Sequence, residues 1–113
     1  MSRIYKILPR ADWTAAHEAG RFEGSPVDVQ DGFIHFSTGA QAQETARRHF
    51  AGKADLVVLE VEADDLGEAL RWEASRGGDL FPHLYGPLDA GHVRYVTEAP
   101  LGDDGAPITG DLA

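Results

Sequence analysis

The sequence predicts a single α+β domain, and three observations predict it. Its 113 residues are enough for one domain with its own core. Its apolar segments alternate as strands more often than they repeat as helices. Two short helices among about five strands, without regular β-α-β order, argue against a doubly wound sheet.

Arg3-Ile4-Tyr5-Lys6-Ile7-Leu8 reads as a first strand ended by Pro9. Asp12 is placed to cap a helix running through Ala19, with Gly20 as its stop. The Gly/Pro/Asp-rich residues 20–32 read as a connection into the strand Phe33-Ile34-His35-Phe36-Ser37. Thr38 and Gln41 then fit a capping box, opening a helix with Ala42, Ala46, His49 and Phe50 on one face and Gly52 as its close. Leu56 to Glu62 is the clearest strand, Leu70 to Glu73 a shorter one, and Gly91 to Glu98 another with Val93 and Tyr95 on one face. The domain is read as residues 1–98, and residues 99–113, rich in Gly, Asp and Pro, as a flexible C-terminal tail.

Composition excludes several classes. The chain has no cysteine, hence no disulfide scaffold, thiolate metal site or cysteine nucleophile. The formal charge of −9 and the lack of any basic run beyond Arg47-Arg48 exclude a general nucleic-acid binder. No apolar stretch approaches a membrane span, and the first ten residues hold no signal-peptide cleavage site, so the expected location is cytoplasmic. A small anionic molecule remains an admissible partner if local donors hold it.

Period two puts Phe33, His35 and Ser37 on one strand face and Ile34 and Phe36 on the other. The strand ends at a capped helix N-terminus, where free amides and the helix dipole favour an anion. His35, Ser37 and the amides around Gly39 can therefore serve either as an anion site or as an ordinary cap beside a structural histidine. Arg71 and Glu73 share a face, either as an acid with a cationic neighbour or as a solvated ion pair. The Gly- and Pro-bracketed run Leu80-Phe81-Pro82-His83-Leu84-Tyr85 reads as an apolar segment that lines a pocket or covers a sheet edge, with His83 and Tyr85 on one side if it is extended. The five histidines show no metal-ligand spacing, and no metal is expected.

Four motifs in order, Tyr5-Lys6-Ile7-Leu8, Asp31 to Thr38, Arg71-Trp72-Glu73 and Phe81 to Gly86, resemble the bacterial family known as domain of unknown function 952, over about residues 3 to 98. The resemblance implies a fold like the ADP-ribosyltransferases: two small, mainly antiparallel sheets around a cleft that holds NAD in those enzymes, with two or three short helices. It implies Tyr5-Lys6 at the first-strand position of an Arg or His, and His35-Phe36-Ser37-Thr38 as the strand that supports the cleft. Glu73 is the candidate acid. Glu60-Val61-Glu62 also matches a Glu-x-Glu pattern, but these acids flank the most apolar strand and read as its solvated face. Two functions follow. One is an enzyme acting on NAD, a nucleotide or a ribose-containing substrate, with Glu73, His35 and His83 catalytic and Lys6, Ser37, Thr38, Arg71 and Tyr85 binding substrate. The other is a non-catalytic module that keeps the cleft for small-molecule binding.

Overall fold

A computed structural model describes residues 2–110 and 112. In chain order the first half contains β1 (Arg3–Pro9), α1 (Arg10–Ala19), β2 (Arg21–Phe22), α2 (Pro26–Asp31), β3 (Ile34–His35), β4 (Ser37–Thr38) and α3 (Gly39–His49). The second half contains β5 (Leu56–Glu62), β6 (Leu70–Ala74), β7 (Leu80–Leu84), β8 (Leu88–Asp89) and β9 (Val93–Ala99). The fold is α+β. Among the described residues a four-stranded sheet of order β4-β1-β5-β9 faces a three-stranded sheet of order β3-β7-β6, and a short ribbon pairs β2 with β8. All these pairings are antiparallel.

The larger sheet is covered on both faces, which explains why β5 is apolar almost throughout rather than alternating. Ile4, Leu8, Val57, Leu59 and Val61 pack on one side with Phe22, Ile34, Phe36 and Leu84. Tyr5, Ile7, Leu56 and Val58 pack on the other with Ala46 of α3 and Phe50 just after its end. Each fully buried aliphatic side chain here contributes roughly 1.5–3 kcal/mol relative to exposure. As expected, α3 uses its Ala42–Ala46 stripe, and Thr38 with Gln41 closes the capping box at its start.

Several elements differ from the reading of the sequence. Asp12 does not cap α1: the helix begins at Arg10, directly after Pro9, and Asp12 lies in its first turn. The stretch 20–32 is not all connection. Ser25, Pro26 and Asp28 start α2, with the Ser25 amide donating to Asp28 Oδ2 at 2.8 Å, and Gly32 ends it at φ 87°. The strand expected over 33–37 is split at Phe36: Ile34 and His35 pair with Leu84 and His83, while Ser37 and Thr38 pair with Tyr5 and Ile4. One short segment thus crosses from one sheet to the other.

Val93 and Tyr95 do not share a face. Tyr95 stands opposite Glu60 and Val93 opposite Val61, so a bulge inserts Arg94 and turns Val93 towards the inter-sheet core, leaving Tyr95 exposed. Glu60 and Glu62 are not a solvated face either. The Glu60 side chain is largely covered and lies 3.8 Å from Arg3, and buried Glu62 accepts from the Ser2 amide at 2.7 Å.

The 80–84 segment is a central strand despite Pro82. Pro82 is tolerated because its carbonyl accepts from the Phe36 amide at 3.0 Å, on the side where β3 has already ended. Its missing N–H falls on that same side. Beyond residue 98, where a flexible tail is expected, the chain folds back on α3. Ala106 and Thr109 are buried, Leu101 bridges to Pro107, and Gln43 bonds both Pro107 and Thr109.

Candidate functional site

Because β4 pairs only with Ile4 and Tyr5, the edge of β1 beyond Tyr5 has no strand beside it among the described residues. A cavity of about 600 Å³ opens there. Lys6, Ile7 and Pro9 supply the β1 edge; Ser25 and Pro26 come from the start of α2, and Thr45 and His49 from α3. His35, Phe36, Ser37 and His83 complete the wall at the crossing between the sheets.

Asp28 organises the inner wall. It is 2 % exposed, and its two oxygens accept from Lys6 Nζ at 3.0 and 3.2 Å, the Ser25 amide at 2.8 Å and the His35 amide at 3.2 Å. The His35 ring adds Nδ1 at 2.6 Å. Burial alone would raise the pKa of this carboxyl. The His35 ring bond, the Lys6 charge and the Ser25 amide outweigh it and hold Asp28 at about 2. Burial lowers the pKa of Lys6, against the pull of Asp28. The other His35 nitrogen, Nε2, meets Asp31 Oδ2 at 2.9 Å, so only a protonated ring donates to both carboxylates.

A second cluster covers the outer face of the three-stranded sheet. His83 Nδ1 lies 2.8 Å from Glu73 Oε1, and the Tyr85 hydroxyl donates to the same oxygen at 2.7 Å. The two bonds, from His83 first and then Tyr85, lower the Glu73 pKa, and Glu73 in turn raises that of Tyr85. Phe33 stacks on His83 at 4.1 Å between centroids and touches the rings of His35 and Tyr85 at 4.6 and 5.3 Å. Arg71 does not pair with Glu73; its guanidinium lies 5.2 Å from the Tyr85 ring centroid.

His35, His83, Glu73 and Tyr85, distant in sequence, are therefore one connected cluster, with the His35 and His83 rings 5.6 Å apart. His35, His83, Lys6 and Ser37 line the cavity, whereas Glu73, Tyr85, Arg71 and Thr38 do not. Thr38 is spent on the cap of α3, and the Ser37 hydroxyl turns to Thr45 at 2.9 Å. The N-terminus of α3 is not where the cavity lies: Ala40 borders a separate groove with Glu44, Arg47, Asp103 and Asp104, whose net negative charge opposes an anion. The reading of the sequence missed Asp28 and Asp31. The signal for Asp28 is the Ser-Pro-x-Asp start of a helix, set among glycines that otherwise read as a connection.

The family model described as "Protein of unknown function (DUF952)" matches residues 7–96. The chain belongs to the DUF952 family. The crystal structure of another protein, CC0527 from Caulobacter crescentus, is 59% identical, with 97% of this chain and 96% of that one covered at a TM-score of 0.95. A crystal structure of a doubly substituted CC0527 is 57% identical over the same coverage, with a TM-score of 0.94. A solution structure of CC0527 is 60% identical, covering 95% of this chain and 92% of that one, at a TM-score of 0.85. No curated protein matches this DUF952 chain. Among the described residues no helix is long and apolar enough to cross a membrane.

Proposed function

We propose that this DUF952 chain binds a ribose-containing nucleotide, NAD the first candidate, in the cavity beside β1, and acts on it as an enzyme of the ADP-ribosyltransferase kind. The observation that carries the reading is the Glu73–His83 contact at 2.8 Å, because it joins an ionised carboxylate to a ring that lines the cavity. The cavity, about 600 Å³, falls in the range of small-molecule sites and offers Phe36 and Phe81 for a base and Ser37 for a hydroxyl. The reacting sugar lies at the His83 rim. Glu73, reaching the site through His83, supplies the negative charge that steadies an oxocarbenium-like ribosyl carbon as the bond to its base breaks. The base leaves as nicotinamide, water adds to the carbon and gives up a proton, and His83 orients the sugar. Tyr85 and Phe33 fix the two groups. The two antiparallel sheets, with one short segment crossing between them at the site, support reading the fold as ADP-ribosyltransferase-like.

Incubation with NAD, with release of nicotinamide followed by chromatography, tests the reading. Release by the wild type, and its loss by about a hundredfold or more in Glu73→Gln, is expected. No release at any pH from the native protein, or release that survives Glu73→Gln and His83→Ala unchanged, would overturn it.

One observation favours a second reading, a non-catalytic binding module: Glu73 and Tyr85 lie outside the cavity lining, Lys6 is already paired with Asp28, and both His35 ring nitrogens are already bonded to Asp28 and Asp31. Saturable NAD binding without nicotinamide release selects it.

A further inference from the structure

We infer that β9 is the pairing edge for a second copy of this chain, which would join two four-stranded sheets into one continuous antiparallel sheet. β9 is the terminal strand of the larger sheet, and every residue from Arg94 to Glu98 is exposed. An open strand edge presents unpaired amides and carbonyls, and proteins ordinarily blunt such edges with charged side chains, lysine above all, with proline, with a bulge along the edge or with a covering loop. Here the strand contains no lysine and no proline; Pro100 comes only after it ends. The bulge at Arg94 is confined to its first residues, and Tyr95–Ala99 runs in regular register on β5.

The sequence of the edge is complementary to itself. A twofold axis through Val96 in antiparallel pairing sets Val96 against Val96 and Tyr95 against Thr97, and brings Arg94, at the bulge that ends the regular register, beside Glu98. Both ends of the ladder then carry opposite charges, and the middle carries the apolar contact, with Tyr95 65% and Val96 41% exposed in the single chain. Arg94 and Glu98 have exposed partners within the chain, Asp65 at 3.1 Å and Arg10 at 2.6 Å, which solvent screens and which cost little to share. A pairing centred one residue later would set Val96 against Glu98 and leave Arg94 without its acid. The charge pattern therefore selects the register, and with it a closed dimer rather than an open chain of strands. β9 lines no part of the cavity, so this surface is independent of the proposed reaction.

Sedimentation of the full chain across a micromolar-to-millimolar series tests the inference. A mass of twice 12.2 kDa is expected at the upper end. Arg94→Glu sets acid against acid twice and should raise the dissociation constant by about tenfold or more, and the double exchange Arg94→Glu with Glu98→Arg should restore it. Val96→Lys should abolish the dimer by placing two ammonium groups on the axis. Circular dichroism confirms that each variant is folded. A wild type that stays monomeric throughout, or a dimer indifferent to both Arg94→Glu and Val96→Lys, would overturn the inference.

Discussion

Asp28 stands where three elements meet: it caps α2, neutralises buried Lys6 on β1 and holds the His35 ring at the crossing between sheets. Replacing it by asparagine leaves the Lys6 ammonium uncompensated, and such losses cost about 3–5 kcal/mol. Denaturant unfolding of Asp28→Asn should show that loss; a change below measurement error would contradict the network. The same carboxylate sets an acid limit. Its pKa is about 2 in the fold against an ordinary 3.8, so its contribution is complete above roughly pH 4 and disappears as the pH falls towards 2. The amount is on the order of 2 kcal/mol. Stability measured through that window should fall more steeply for the wild type than for Asp28→Asn. At Glu73 the test is spectroscopic. The carboxylate raises the Tyr85 pKa through their hydrogen bond, so in Glu73→Gln the phenol should ionise at a lower pH than in the wild type. Phenolate absorbance follows it, and an unchanged titration would refute the contact.

At the scale of elements, what could be read in advance depended on whether local chemistry or a distant partner decided the outcome. The cap at Thr38 is local: its hydroxyl and Gln41 satisfy each other's backbone amides, so four residues carried the prediction. Thr38→Ala should cost about 1 kcal/mol, read as a lowered unfolding midpoint without loss of the fold. The apolar run of β5 is equally legible, although its two glutamates were misplaced because nothing in the run announces covers on both faces. By contrast, β7 was hidden by Pro82, whose tolerance depends on β3 stopping after His35, more than forty residues away in sequence. The split at Phe36 was hidden for the same reason, since alternation continues through it while the partner strand changes from β7 to β1. The face occupied by Val93 depended on a bulge that no residue of β9 signals. For the candidate site, period-two alternation puts Phe33, His35 and Ser37 on one face and His83 with Tyr85 on one side. In the structure Ser37, beyond the split, bonds Thr45, whereas Phe33 touches His35, and His83 and Tyr85 meet at Glu73. Their carboxylate partners came from tertiary pairing, and the capture of His35 by Asp28 and Asp31 was beyond local pattern.

For the whole molecule, the segment after β9 acts as a strap on α3, with Ala106 and Thr109 buried and Gln43 making three hydrogen bonds to Pro107 and Thr109. A chain ended after Ala99 should therefore melt several degrees lower than the full one, by the usual conversion of about 1–2 kcal/mol into melting temperature. Equal melting temperatures would show that the strap contributes nothing. The two sheets, joined where Phe36 crosses between them, build the cavity that the account treats as a nucleotide site. The most direct measurement is a titration of the ¹⁵N-labelled chain with NAD, followed by amide and imidazole shifts. Saturable shifts concentrated on Lys6, Phe36, Ser37 and His83, with smaller ones at Glu73, are predicted. Residues unmoved at millimolar NAD, or shifts gathered on a face away from this cavity, would contradict the account.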